Sequence, residues 1–400
     1  MTASASSIDR EPRRLPIQRE TPFDPPTALQ ALPQIGPLLF AGGETGWLVT
    51  GYRLARAVLA DNRFSADRSL AASPMQAVPD RFRRFGPPPG MFNLMDPPAH
   101  TRYRKMLTGQ FTVQRMKRLQ PAIEAIVDDT LDAMERAGGP VDLVEAFALP
   151  VPMTVICALL GVPYDCRPTI TRFASVLLST RATIEELAGT VDELRKFMLE
   201  KIDERRAAPD DGLISGLLAE GELTDDELCG IAQVLLLAGH ETSANMFGIG
   251  AFALLQHADQ WDKLVRDPSL MPSAVEELMR YLTVAHMGPI RAALEDVEVG
   301  GVAVRKGETV MISLPMANRD AELLDDGGTL EVARPRMPHL AFGHGVHQCI
   351  GQQLARVEMV VGFGKLLARF PHLRLAADPA EVPMRTDMRV YGVHELPVTW

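Results

Sequence analysis

A single cysteine, Cys349, sits between a glycine-punctuated loop and an apolar-periodic segment (Ile350, Leu354, Val357, Val361, Leu366) whose spacing predicts an amphipathic helix. A thiol at a helix N-terminus meets free backbone N–H groups and the positive end of the macrodipole. Both favour the thiolate that a metal ligand or a nucleophile requires. Gly343, Gly345 and Gly351 suit a backbone that bends sharply and is approached closely by something flat. The competing readings are a buried structural cysteine and a catalytic cysteine paired with His344 or His347, which would need a third, orienting residue.

Glu241 and Thr242 interrupt a long apolar pattern, with Leu235 and Leu236 before them and Met246 and Phe247 after. A glycine such as Gly239 costs about 1 kcal/mol in a helix interior, and a buried carboxylate costs more unless paired. Such local conflicts mark functional sites; the alternative is a kinked helix in which Thr242 bonds its own i−4 carbonyl. Glu277 and Arg280 stand three apart and face one another on a helix. His100 and Arg104 stand four apart on one face, where two donors can bind a carboxylate pair. Taken alone, each pair is more commonly a solvated helix surface.

The elements that must position these residues are mostly helical. Helices are predicted over residues 99–110, 113–137, 151–160, 170–207, 224–257 and 272–282, the fifth opened by the capping box Thr224-Asp225-Asp226-Glu227. Residues 46–64 suggest a short strand, a turn and a helix. Residues 69–98 are irregular, with Gly86-Pro87-Pro88-Pro89-Gly90 excluding regular structure. A hairpin is expected around Gly300-Gly301 and a further strand over 308–314. The class is therefore mainly α with a small β-rich region. Residues 1–400 read as one domain, with residues 1–25 a mobile or surface-draped arm.

Apolar residues make up 46% of the chain and charged residues 23%, the balance of a soluble globular protein. A formal charge of −10 argues against a general nucleic-acid binder. The first residues hold no hydrophobic run, so neither a secretory signal nor a membrane anchor is expected. Cys157, Cys166, Cys229 and Cys349 form no disulfide or zinc pattern, and a cytoplasmic, reducing location is expected.

The loop Phe342, Gly345, His347, Cys349, Gly351 resembles the haem-thiolate signature of the cytochrome P-450 family. The resemblance implies a cytochrome P-450 fold with haem b held between the long central helix and the cysteine-loop helix, and Cys349 as axial ligand of the iron. Backbone N–H groups after the cysteine would hydrogen-bond its sulfur. Residues 238–242 are similar to the family's oxygen-side element: Ala238 and Gly239 would line the haem, Thr242 would hydrogen-bond the oxygen species, and Glu241 would help relay protons. Glu277 and Arg280 are similar to the Glu-x-x-Arg element, with Arg334 the further arginine, although Leu330-Glu331 stands where Phe-Asp is usual. His100, Arg104, Arg291 and His347 match positions that serve the two propionates, and Phe342, Gly343 and Gly351 belong to the haem cradle.

By the same resemblance the substrate roof draws on Phe92, Leu94, Leu235, Ala285, His286, Met287 and Tyr391, with His286 and Arg389 candidate anchors for a polar group and a mobile lid above. The implied reaction is a monooxygenation: one oxygen atom of O2 enters a hydrophobic small molecule, by hydroxylation or epoxidation, in a secondary metabolite such as a polyketide, terpenoid or steroid. The chain leaves no room for a flavin or iron–sulfur module, so a ferredoxin and its reductase would deliver electrons. Arg102, Lys105 and Arg356 are candidates for the docking patch. A monomer is expected, without nucleic acid or membrane. A peroxide-driven hydroxylase and a non-catalytic haem sensor are the rival readings.

Overall fold

The computed structural model describes residues 11–77 and 85–400. Its axis is the central helix Asp225–Gln256, about 48 Å long at 1.5 Å per residue. Thr224 caps it: the Thr224 hydroxyl accepts from the Glu227 N–H at 3.3 Å and the Glu227 carboxylate accepts from the Thr224 N–H at 2.8 Å. The capping box predicted from residues 224–227 is thus formed. Apolar side chains occur around the whole circumference rather than in one stripe, so the helix is buried on all sides.

Helices Val113–Ala137, Pro150–Leu160, Met271–Leu282 and Gln352–Arg369 surround this axis and share one apolar core with it. The expected helix over 170–207 is two helices, Arg167–Leu177 and Ile184–Ala207. Thr183 opens the second with its own capping box, and the Ser179 backbone pairs with Met388, so the chain between them serves the C-terminal segment.

More β structure forms than the sequence suggests, because strands from the N-terminal segment join those after residue 288. Strands β1 (Arg13–Arg14), β2 (Ile35–Leu39), β3 (Thr45–Val49), β4 (Phe64–Ser65), β6 (Ile290–Ala293) and β9 (Thr309–Ile312) make a six-stranded sheet of order β1-β2-β3-β9-β6-β4. β5 (Val141–Asp142), β10 (Arg374–Leu375) and β11 (Pro397–Thr399) make a second sheet. β7 (Val297–Val299) and β8 (Val302–Val304) form the expected hairpin, its turn made by Gly300 at φ 58° and Gly301 at φ 81°.

The described part of the N-terminal arm is draped and pinned rather than mobile. Arg13 and Arg14 pair with Leu38 and Leu39, and the Arg19 guanidinium lies 3.7 Å from the centre of the Tyr391 ring. Arg319 donates to Phe23 O and to Asp24, each at 3.1 Å. Residues 1–10 lie outside the described residues. Among the described residues no helix is long and apolar enough to cross a membrane.

Candidate active site

The cysteine loop closes against the helix that follows it. The Cys349 N–H donates to Phe342 O at 2.9 Å, and helix Gln352–Arg369 begins three residues on, with Gly351 as its N-cap. Gly343 and Gly345 have φ of 68° and 74°, which side-chain-bearing residues rarely adopt. A Cβ on Gly345 would lie 2.2 Å from Leu59 O, whereas one on Gly343 would meet open space. One glycine therefore lets the loop touch the helix Tyr52–Ala60, and the other keeps a surface clear. Cys349 is exposed to the interior cavity but enclosed by protein at longer range. Burial pushes its thiol up, opposed by the Gly351 and Gln352 N–H groups and by Arg104 and Arg356. The helix-terminus stabilisation predicted from sequence is present, but enclosure outweighs it in the protein alone.

The cavity that Cys349 faces measures about 550 Å³, within the range of small-molecule sites. His100, Arg104, Arg291 and His347 converge on it, although they come from residues almost 250 apart. The rings of His100 and His347 lie 4.3 Å apart. Burial, followed by the neighbouring arginines, pushes His100 down to about 4 and His347 down to about 3, so both are neutral at pH 7. Among the described residues neither ring nitrogen of His100 has a hydrogen-bond partner, though both are buried. Glu227 fixes the helix Ala99–Thr108 that carries His100 and Arg104: it accepts from Arg102 and, at 2.8 Å, from the Tyr103 hydroxyl. Burial opposes its ionisation, yet Arg102, the Thr224 N–H and Tyr103 together hold its carboxyl at about 2.

Leu235, Ala238, Gly239, Thr242 and Ser243 of the central helix also line the cavity. The helix is unbroken there. The Thr242 hydroxyl donates to Ala238 O, its i−4 carbonyl, at 2.9 Å. Gly239 admits a neighbour: a Cβ there would come within 2.6 Å of the Ile156 side chain. Glu241 is not part of the cavity wall. Its Oε2 accepts from Arg385 and from Asn245, each at 3.1 Å, and the carboxylate is buried behind the helix. Glu241, expected to help relay protons to Thr242, is held in this structure by Arg385 of the C-terminal segment and by Asn245.

Glu277 and Arg280 pair as their spacing suggests, and Arg334 joins them as the resemblance implies. Glu277 accepts from Arg280 at 2.7 and 2.8 Å and from Arg334 at 3.1 Å, all but sealed from solvent at Glu277 and Arg280. Arg334 also binds Asp326. The unusual Leu330-Glu331 is accommodated: Leu330 is buried, the Glu331 N–H donates to Glu277, and its carboxylate pairs with Lys263. Phe342, Gly343 and Gly351 line the cavity as expected, as do Phe92, Ala285 and Met287.

Leu94, His286 and Tyr391, expected in the substrate roof, lie outside the cavity lining. The His286 ring bonds Met388 O at 2.9 Å, and the Tyr391 hydroxyl donates to Pro22 O at 2.9 Å beneath Arg19. Asn93, not Leu94, faces in, because the turn Phe92–Leu94 is a 3-10 helix. Of the proposed docking patch, Arg102 is engaged by Glu227 and Arg356 by Glu276, which leaves only Lys105 of the three exposed and free of such a pair.

Two ionisable lining residues escaped the sequence reading. Arg68 follows β4 in a stretch with no pattern to flag it. Glu358 lies nine residues beyond Cys349, at an apolar-looking helix position; burial pushes its carboxyl up to about 8, partly offset by Ser243, so it is protonated at neutral pH.

The donor set fits a haem. One soft thiolate ligand faces a largely apolar cavity, a glycine surface is kept clear beside it, and the orphaned imidazole nitrogens of His100 stand with two guanidinium groups where acidic substituents would need partners.

Residues 167–392 match the family described as Cytochrome P450. The chain is 46% identical over 392 residues to cytochrome P450 105C1 from a Streptomyces species, covering 96% of this chain and 97% of that one. It is 42% identical over 407 residues to pentalenic acid synthase of Streptomyces avermitilis, covering all of both. The crystal structure of CYP105P1 in complex with filipin I superposes with a TM-score of 0.91 at 40% identity, over 98% of this chain and 99% of that one.

Proposed function

Because the chain belongs to the cytochrome P450 family, of haem-containing monooxygenases, we propose that it oxidises a hydrophobic secondary metabolite, of polyketide, terpenoid or steroid type, by hydroxylation or epoxidation. The observation that carries this reading is that Cys349 and Thr242 line one largely apolar cavity. Relatives such as pentalenic acid synthase support the substrate class. The whole of residues 1–400 would act as one domain and as a monomer. A cytoplasmic setting suits it, since Cys349 must stay reduced to serve as a thiolate.

The Cys349 sulfur would ligate the iron of haem b, with the Gly351 and Gln352 N–H groups stabilising its charge. Arg104 and Arg291 would neutralise the two propionates, and His100 and His347, neutral at pH 7, would hydrogen-bond them. Bound there, the haem supplies activation of O2, so that one atom enters the substrate and the other leaves as water after uptake of two electrons and two protons. Thr242 holds a proton on Oγ1 and rests it on Ala238 O; releasing that bond turns the proton toward the cavity. Glu241, clamped by Arg385 and Asn245, would resupply Thr242 after turning from its resting place behind the helix. The apolar wall, including Leu235 and Met246, excludes water. A ferredoxin and ferredoxin reductase would supply the electrons.

The test is a carbon monoxide difference spectrum of the reduced protein, followed by turnover with ferredoxin and reductase. The red-shifted Soret band of a thiolate-ligated haem is expected, and Cys349→Ser abolishes it. A normal band with turnover only on added peroxide would replace the redox-partner reading with a peroxide-driven one.

A further inference from the structure

The cavity holds more positive charge than a haem requires. A haem brings two propionates. His100 and His347 are neutral, so Arg104 and Arg291 already balance those two charges. These four groups sense one another: His347 is affected by Arg291, His100 and Arg104, and His100 by Arg104 and Arg291. Arg389 belongs to neither set of interactions, and Arg68 reaches that group only through Arg291.

Arg68 and Arg389 both line the cavity, and among the described residues neither has a carboxylate partner. The Nε of Arg389 is buried without a hydrogen-bond partner among the described residues. Its backbone is held in place where its N–H donates to Leu178 O at 2.8 Å and Met388 pairs with Ser179. Arg68 senses both Arg291 and Arg389, so the charges are near one another, while its side chain is exposed. Among the described lining residues the one acid is Glu358, which is protonated at neutral pH and whose interaction is with Ser243. Arg68 is exposed at this cavity and Arg389 is half-buried in it; two guanidinium groups that face one largely apolar space without a counter-charge attract an anion entering from outside.

We infer that Arg68 and Arg389 form an anion-binding subsite in the substrate part of the cavity, and that the substrate is an apolar molecule bearing a carboxylate. This rests on the monooxygenase reading above. Two guanidinium forks suit the planar, two-oxygen geometry of a carboxylate and are more readily stripped of water than ammonium groups. Anchoring the carboxylate at one place would present a carbon remote from it for oxidation, so the subsite would also fix the position of attack.

The holoenzyme is titrated calorimetrically at neutral pH with dodecanoate and with dodecanamide, which differ in charge but hardly in shape, and a carbon monoxide spectrum is recorded on the same preparation. Dodecanoate binds about tenfold or more tightly than the amide. Arg389→Gln and Arg68→Gln each bring the ratio close to one while leaving amide affinity unchanged, and Arg389→Lys restores part of it. A wild-type ratio near one, or a ratio that survives both glutamine variants, overturns the subsite. Loss of haem in Arg68→Gln assigns that residue to the propionates and overturns the two-arginine site. Absence of the thiolate band in the wild type would instead refute the proposed function, with the acid-to-amide ratio still measurable.

Discussion

Glu241 Oε2 lies 3.1 Å from Arg385 Nη2, and this pair, buried behind the central helix, joins the helix to the C-terminal segment. A carboxylate in the interior of an apolar helix is tolerated because a residue 144 positions away supplies its counter-charge. Thr242, the next residue, lines the cavity, so two adjacent side chains divide between a structural clamp and the active site.

Arg385→Leu strands the Glu241 charge and is expected to cost about 3–5 kcal/mol. Adding Glu241→Gln to that variant should recover most of the stability but not the turnover. Thermal unfolding and product formation under identical conditions separate the two effects. An unchanged melting temperature in Arg385→Leu would rule out the clamp.

The same logic applies to the triad of Glu277, Arg280 and Arg334. Arg280 is fully buried and also donates to Asn318 O and Gly327 O, at 3.0 and 2.9 Å. Glu277→Ala removes the acceptor that two arginines share, at an expected cost of about 3–5 kcal/mol. The urea midpoint should fall accordingly, and Glu277→Gln should fall less because its oxygen still accepts. Equal midpoints for Glu277→Ala and wild type would contradict this.

The Pro-rich loop is fastened to the central helix through two glycines. A Cβ on Gly90 would sit 1.9 Å from Glu227 O, and one on Gly230 would sit 2.1 Å from Pro89 O. Alanine in a helix interior ordinarily gains about 1 kcal/mol over glycine. Gly230→Ala is nevertheless expected to lose about 1–3 kcal/mol through the overlap, and to weaken ligand binding by moving Phe92. Any net stabilisation measured by denaturant titration would show that the loop yields freely, as a swinging lid would.

Glu276 supplies a pH test. Burial works against its charge, but hydrogen bonds from His339 at 2.9 Å and Arg356 at 2.5 Å, with their charges, hold its carboxyl at about 2, below the ordinary 4.5. A carboxylate depressed in the folded state stabilises above its unfolded pKa, and the contribution fades as pH falls from about 4.5 toward about 2. After allowance for solvent screening it is on the order of 1–2 kcal/mol. The stability gap between wild type and Glu276→Gln should therefore be full at pH 7 and vanish near pH 2. A gap independent of pH across that window would mean the ion pairs contribute nothing.

Much of the fold was legible because its signals are short-range. The capping box at residues 224–227, the Gly300-Gly301 turn and the helix Val113–Ala137 follow from residues within a few positions of one another. The split of residues 170–207 was hidden because Ser179 answers to Met388, more than 200 residues on. Whether the arm around Arg19 is mobile or draped was hidden for the same reason: its anchors, Tyr391 and Arg319, lie at the far end of the chain.

The sequence by itself determined the cysteine, the loop glycines that shape its surroundings, the helix that carries Thr242, and the order of the elements that bring His100, Arg104 and Glu277 to their places. Side-chain direction and charge balance were decided by the tertiary structure alone. Arg385 holds Glu241 outside the cavity lining, backbone carbonyls take His286 and Tyr391, and Arg68 and Arg389 are left facing one cavity without a counter-ion among the described residues. The reason is physical: a motif encodes which groups are present, but the partner that satisfies a buried charge is chosen by proximity in space, and here it comes from segments hundreds of residues apart.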